Sequence, residues 1–280
     1  MLRADPMAPA AAPVPAPATA PDPAISFDPL LGATADDGWF PSPAHILRRA
    51  AILEMFAQFP PGRLVEMGCG AGRLLVDWHR LGHSGKAVEP DAAARQMASA
   101  MARRFSTGFT VNESADAEQF DYLVSTEVLE HLDDPEAVLR DWLRSLKPGG
   151  IALITVPAFR RYWGASDEWA GHVQRFEPEE FCQLLENAGL QIIRSQLFGF
   201  PIGNWLRVLG NVTSAWRMRN RASDLDRQSA TFASGRDRTV ERRIAPLMRS
   251  APMRTLLRLA IATQSRFNRG HGLIVVARKA

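Results

Sequence analysis

Only two cysteines, Cys69 and Cys182, occur in 280 residues, and they lie too far apart to form a metal-ligand pattern. Such sparse usage fits a reducing cytoplasm. No run approaches the roughly 18 apolar residues of a membrane span, so a membrane-spanning protein is not expected. The opening stretch MLRADPMAPAAAPVPAPATAPDPA lacks both the unbroken apolar segment of a signal peptide and the residues of a core. It reads as a disordered Ala/Pro-rich tail over 1–25. Acidic residues are scarce in one place. From Trp205 to Gly270 fourteen arginines face only Asp224, Asp226, Asp237 and Glu241, a local charge of about +10. The whole chain carries +3, so the remainder is mildly acidic, near −7.

What is present is an ordinary globular composition, 46% hydrophobic, enough for one α/β domain with additions. From Arg63 onward, short β-rich runs alternate with amphipathic ones. Strands are expected at Arg63–Gly68, Gly85–Pro90, Phe109–Glu113, Phe120–Thr126, Ile151–Pro157, Leu190–Phe198 and Gly272–Lys279. Helices are expected at Arg73–Leu81, Asp91–Phe105, Pro135–Leu146 and Pro178–Ala188, with Asp91 and Asp134 as caps and Gly189 closing the last. Lys147–Gly150 reads as a turn. Alternation of this kind, with nearly continuous apolar strands, implies a mostly parallel sheet covered on both faces. Ligands then bind at the carboxyl ends of the strands. A helical cap over 26–61 and a helical insertion over about 199–271 flank the sheet domain, which covers 62–280.

LVEMGCGAGRLL runs from a buried strand through Gly68, Gly70 and Gly72 straight into a helix. Glycines there permit a tight turn and close approach of backbone to ligand. A dinucleotide fingerprint lacks its third glycine, because Arg73 stands in that place. Glu89 ends the second strand, where a carboxylate can accept both hydroxyls of an unphosphorylated ribose.

STEVLEHLDDP follows the fourth strand. If Glu127–His131 is a helical turn, offsets of three and four bring Glu127, Glu130 and His131 to one face. Two carboxylates and an imidazole suit Mg²⁺, Mn²⁺ or a similar cation. Equally, His131 could serve as a general base or simply pack.

VEMGCGAG, AVEPD and FDYLVSTEVLEHLDDP…LRSLKPGGIALITVP together resemble the class I S-adenosylmethionine-dependent methyltransferases. The group most similar is the ubiquinone-biosynthesis O-methyltransferases. The resemblance implies a Rossmann-like, seven-stranded sheet, mostly parallel with its last strand antiparallel. It implies S-adenosyl-L-methionine as cofactor, with Glu66, Gly68, Cys69, Gly70 and Gly72 facing its methionine moiety and Glu89 its ribose. Ser114 would lie near the adenine, and Thr126 and Glu127 would complete the cofactor contacts. His131 and His172 become the candidate catalytic residues. Glu127, Glu130 and His131 become candidate ligands of Mg²⁺, with His172 as a fourth, as in the Hen1-type small-RNA methyltransferases. Tyr162, Trp163 and Trp169 are candidate pocket walls, and Arg175 a substrate contact.

The expected activity is O-methylation of a small or lipid-like metabolite. RNA 2′-O-methylation and cofactor binding without methyl transfer stand as alternatives. Nucleic acid is not the expected partner, because the arginine-rich segment shows no RNA-binding motif. The insertion is expected to be a helical lid with Met253, Leu256, Leu257, Ala260 and Ile261 packed on the sheet domain. Its arginines could also meet an anionic membrane surface. The expected location is the cytoplasm, with or without membrane association.

Overall fold

A computed structural model describes residues 25–35, 39–115, 118–219, 239–264 and 266–280. The tail expected over 1–25 lies outside these residues except for its last position. In chain order the main elements are β1 (Ile25–Asp28), β2 (Gly32–Ala35), α1 (Pro43–Phe56), β3 (Arg63–Met67), α2 (Arg73–Arg80), β4 (Ser84–Val88) and α3 (Ala92–Arg104). There follow β5 (Phe109–Asn112), β6 (Phe120–Thr126), α4 (Pro135–Trp142), β7 (Leu146–Pro157), α5 (Ala165–Ala170), α6 (Pro178–Asn187) and β8 (Leu190–Gly199). Helices α7 (Ile202–Arg219), α8 (Thr239–Arg249) and α9 (Ala251–Gln264) precede the last strand, β9 (Gly270–Lys279).

Seven strands form one sheet in the order β5-β4-β3-β6-β7-β9-β8, parallel except for β9, which runs against both neighbours. Side chains alternate across it as the pleat requires. Leu64, Leu153 and Val276 join Trp78 and Phe56 on the face covered by α1 and α2. Val65, Ile154 and Val275 join Leu139, Phe181 and Leu185 on the face covered by α4 and α6. The expected caps form: Asp91 accepts from the Ala94 N–H at 3.1 Å and Asp134 from that of Ala137 at 3.0 Å. Each fills an orphan donor of a first turn.

Four expectations need correction. Helix α4 ends at Trp142, because Leu143–Ser145 tightens into a 3-10 turn and Leu146 already pairs with Phe120. Lys147–Gly150 therefore belongs to β7, whose register shifts there, and Lys147 Nζ holds Asp121 Oδ1 at 2.7 Å. The 26–61 cap is not all helical, since a β1–β2 hairpin precedes α1. The insertion divides its packing: α7 lies on α5 and on β8 and β9 of the sheet domain, whereas the apolar face of α8 and α9 meets chiefly the N-terminal segment, Met248 and Leu257 packing with Leu30, Leu31, Phe40 and Ile46. Leu256, expected inward, is 44% exposed.

One buried ion pair ties that segment to the sheet domain. Arg49 of α1 donates to both carboxylate oxygens of Asp77 in α2, at 2.7 and 2.6 Å, and to the carbonyls of Pro29 and Leu30 in the hairpin turn. Its partners satisfy every charge it buries, but removal of either side leaves an uncompensated ion. Arg49→Ala should destabilise the fold by about 3–5 kcal/mol. The check is chemical denaturation. The double replacement Arg49→Met, Asp77→Leu should recover much of the loss.

Candidate active site

The site is built where β3, β4, β6 and β7 end together. Met67 pairs with Val88 on one side and Ser125 on the other, and Thr126 with Thr155, so the loops after these strands emerge at one edge. After β3 the chain turns on three left-handed glycines, Gly68, Gly70 and Gly72, with φ of 76°, 54° and 71°. Their roles differ. A Cβ on Gly68 would sit 2.5 Å from Val128 Cγ2, and one on Gly72 would sit 2.7 Å from the Ala98 backbone. Both glycines therefore exist for packing. A Cβ on Gly70 would meet nothing within 4 Å, so this glycine alone borders open space.

Glu89 reaches back from the end of β4. Its Oε2 accepts the Gly70 N–H at 2.7 Å and its Oε1 the Asp91 N–H at 2.9 Å, leaving each oxygen further lone-pair capacity for hydroxyl donors. Burial raises its pKa despite these bonds. Glu66, fully buried beneath the loop, accepts from Trp78 Nε1 at 3.0 Å. Burial pushes its pKa up to about 8. Cys69 is buried, and burial likewise raises its thiol. Ser114 is exposed just beyond β5. An open peptide at Gly70 beside a strand-end carboxylate fits an adenosyl ligand with a free ribose.

On the other side of this edge the Glu-x-x-Glu-His stretch splits. Glu127 takes a left-handed backbone, φ 55°, before Leu129–His131 forms a single 3-10 turn. That reversal breaks the helical path which the spacing implied. Glu127 turns to Arg48 Nη1 at 3.3 Å and accepts from Thr155 Oγ1 at 3.3 Å. Glu130 turns inward, 0% exposed, and among the described residues neither carboxylate oxygen has a hydrogen-bond partner. His131 Nε2 lies 3.9 Å and His172 Nε2 3.8 Å from Glu130 Oε1. One ligand atom from each of these three residues falls within 4.8 Å of the others. Of the four candidate ligands, Glu130, His131 and His172 come together, and Glu127 stands apart with Arg48.

His172 is brought there by the loop that precedes α6. The Val173 N–H donates to the Glu130 carbonyl at 2.9 Å, and Gln174 Nε2 to the Leu132 carbonyl at 3.0 Å. Asp167, 1% exposed, orients the ring through Nδ1 at 2.8 Å and is itself held by Arg175 Nε at 2.9 Å. Burial opposes ionisation of Asp167, but His172 and Arg175 outweigh it and keep the carboxyl below its ordinary range. A proton on Nδ1 leaves the Nε2 lone pair facing Glu130, the second-sphere arrangement common to metal-binding histidines. Burial first, and then neighbouring His172, lowers the His131 pKa to about 4, so its ring is neutral near pH 7. Burial drives the Glu130 pKa well up. A buried carboxylate without a donor is costly unless protonated or bound to a cation.

A cavity of about 370 Å³ adjoins this cluster, its walls including Arg48, Glu127, His172, Arg207 and His271. Tyr162, Trp163 and Trp169 do not wall it; Tyr162 instead lies under the Arg207 guanidinium, 4.6 Å from ring centre. Asp167, Arg48, Arg207 and His271 were not legible as site residues. Only Asp167 carried a signal, an acid five positions before His172.

Strand order, glycine loop and strand-end acid define a class I S-adenosylmethionine-dependent methyltransferase. Residues 43–195 match the family model described as methyltransferase domain, and the chain belongs to that family. It is 29% identical over 174 residues to a ubiquinone biosynthesis O-methyltransferase of Xanthomonas axonopodis, covering 54% of this chain and 72% of that protein. It is 28% identical to the protein of the same name from Roseobacter denitrificans, covering 51% and 65%, so part of each relative has no counterpart in the match. Among solved structures it resembles the cyclase SpnF, with TM-score 0.53, 20% identity, and coverage of 90% and 87%. A coclaurine N-methyltransferase bound to N-methylheliamine and SAH gives TM-score 0.51, 16% identity, and coverage of 82% and 72%. These likenesses concern the fold.

Two outcomes follow from the loop. Gly70→Ala should weaken S-adenosylmethionine binding about tenfold or more with a small loss of stability, about 1–2 kcal/mol for the left-handed backbone. Gly72→Ala should chiefly lower the melting temperature, because the added carbon strikes backbone. Calorimetric titration and thermal melts separate the two. A pH outcome follows from Glu66. Its folded pKa lies above its ordinary value of 4.5. The folded state therefore holds the proton more tightly, and stability falls as pH rises from about 4.5 to about 8. In Glu66→Gln that part of the decline should vanish, as denaturation midpoints across this range would show.

Proposed function

We propose that this enzyme transfers a methyl group to a hydroxyl of a small, lipid-like acceptor held in the cavity beneath α7. We further propose that Glu130, His131 and His172 hold a divalent cation beside that hydroxyl. The observation that carries this reading is the Glu130 carboxylate, fully buried with no donor among the described residues and faced by two imidazole nitrogens. The relatives' names, O-methyltransferases, support oxygen as the acceptor atom. Pro43, Ala44, Pro157, Phe198 and Ile244 in the cavity wall support an apolar acceptor body. A nucleic-acid acceptor gains no support from this lining. Two imidazoles with one carboxylate suit Mn²⁺, Zn²⁺ or Fe²⁺ better than Mg²⁺, which prefers oxygen ligands.

S-adenosylmethionine, when bound, supplies a methyl group on sulfonium that leaves by in-line displacement, a reaction driven largely by positioning. The chain supplies that positioning. Gly70 lets the loop approach the cofactor, Glu89 offers its oxygens to the ribose, and Glu66 lies beneath the methionine side. Without a cation, neutral His131 would take the hydroxyl proton at Nε2, its Nδ1 facing the Gly171 carbonyl; with Nε2 on a cation that lone pair is occupied, and the proton would leave to solvent. Asp167 keeps His172 in the tautomer whose Nε2 faces Glu130. A cation in this set would lower the pKa of a bound hydroxyl. Helix α7, α8 and the start of α1 wall off water from the acceptor side. The protein acts in the cytoplasm, with the arginine-rich insertion at a membrane surface; among the described residues no helix is long and apolar enough to cross one.

Incubation of the protein with methyl-labelled S-adenosylmethionine and a lipid extract, followed by mass spectrometry, tests the acceptor. Label on a hydroxylated lipid is expected, and label confined to soluble or nitrogenous products would refute it. Manganese titration by calorimetry tests the cation independently of activity. Asp167→Asn should weaken binding about 10–100-fold through its effect on His172, and Glu130→Gln should abolish it. Absence of manganese and zinc binding to the wild-type protein would end the cation proposal.

A further inference from the structure

Helix α7 is two-sided in an unusual sense. Arg207 and Gly210 line the cavity and Ser214 is buried. Asn211 Oδ1 accepts the Ser166 N–H at 3.1 Å, which fixes that side to α5. The other side carries Trp205, Val208, Val212 and Trp216, which are 75, 49, 64 and 61% exposed. At 3.6 residues per turn these four fall within an arc of about 80°, roughly opposite Arg207, Gly210 and Ser214. The two indoles stand about 16 Å apart along the axis. A single exposed apolar side chain needs no explanation, but an aligned stripe of four marks an interaction surface.

Charge identifies what meets it. Arg219 is exposed at the end of α7, and Arg242, Arg243, Arg249 and Arg258 are exposed on α8 and α9. Among the described residues from 205 to 269 the one acid is Glu241, which lies in the cavity wall. Arg219 falls in line with the stripe, and tryptophans in an apolar stripe, on an insertion whose described residues expose arginines and hold one carboxylate, are the chemistry of an anionic lipid surface. Indole suits that boundary because its body is apolar and its N–H is polar.

We propose that α7 is the membrane-docking element of this enzyme. Its outward stripe inserts among the headgroups and upper acyl chains of an anionic bilayer, and the insertion's arginines meet the lipid phosphates. Since the same helix walls the cavity, docking sets the acceptor site against the bilayer surface. That last consequence rests on the lipid-like acceptor proposed above; the docking itself does not.

The test is co-sedimentation of the full chain with vesicles of phosphatidylcholine alone or mixed with phosphatidylglycerol. Binding to the mixed vesicles is expected, with little to the neutral ones, and 1 M salt should weaken it by cutting the Debye length to about 3 Å. The double variant Trp205→Glu, Trp216→Glu should bind about tenfold or more weakly. Both positions are exposed, so its melting temperature and S-adenosylmethionine affinity should match the wild type. Wild-type protein left in the supernatant with both vesicles, or a variant that sediments equally well, would overturn the proposal. So would a dimer in light scattering that the variant dissolves, because the stripe would then bind a second copy. Methyl transfer to a detergent-dispersed acceptor, measured on the same samples, reports on the acceptor reading. Transfer without vesicle binding removes docking alone, and vesicle binding without transfer removes the acceptor alone.

Discussion

Everything in the site hangs on the backbone ladder of the parallel strands. Because β3 pairs in register with β4 on one side and β6 on the other, and β6 with β7, four strands release their chains at one edge. The amide groups of Gly68 and Cys69 still bond the Val88 carbonyl, so the ladder continues into the loop before the chain turns away. Gly70 is then free to present its peptide, and Glu89 is placed to hold it. Without that common edge, none of the acids and histidines named here would lie near another.

A second constraint is electrostatic. Burial raises the pKa of Glu66, Glu89 and Glu130 and lowers that of His131, so the site favours neutral forms. Asp167 is the exception, ionised because Arg175 and His172 surround it. The contrast divides the labour. Glu130 and His131 are buried groups held toward their neutral forms, and Asp167 is a fixed charge that aims one ring. The Arg48–Glu127 contact adds a link from the N-terminal helix to the same edge.

The sheet was legible because its strands are buried on both faces and therefore appear as short apolar runs between glycines and capping acids. Seven strands and the caps at Asp91 and Asp134 follow from that pattern. Boundaries failed where tertiary contacts outweighed local preference, as at Leu146, which pairs with β6 although its sequence extends the preceding helix. The insertion was legible as helical and basic. Its support was not, since helical spacing says which residues share a face but not which partner that face meets.

Sequence alone determined the class of protein: the glycine loop, the acid at the second strand end and the order of elements are local features, readable wherever they occur. It also placed Glu130, His131 and His172 among the candidates. Only the tertiary structure decided which of them meet. The left-handed backbone at Glu127 sends that carboxylate to Arg48, and a loop forty residues downstream brings His172 to Glu130. Spacing along a chain fixes neighbours within a turn, whereas convergence of distant side chains depends on how the loops cross the sheet edge.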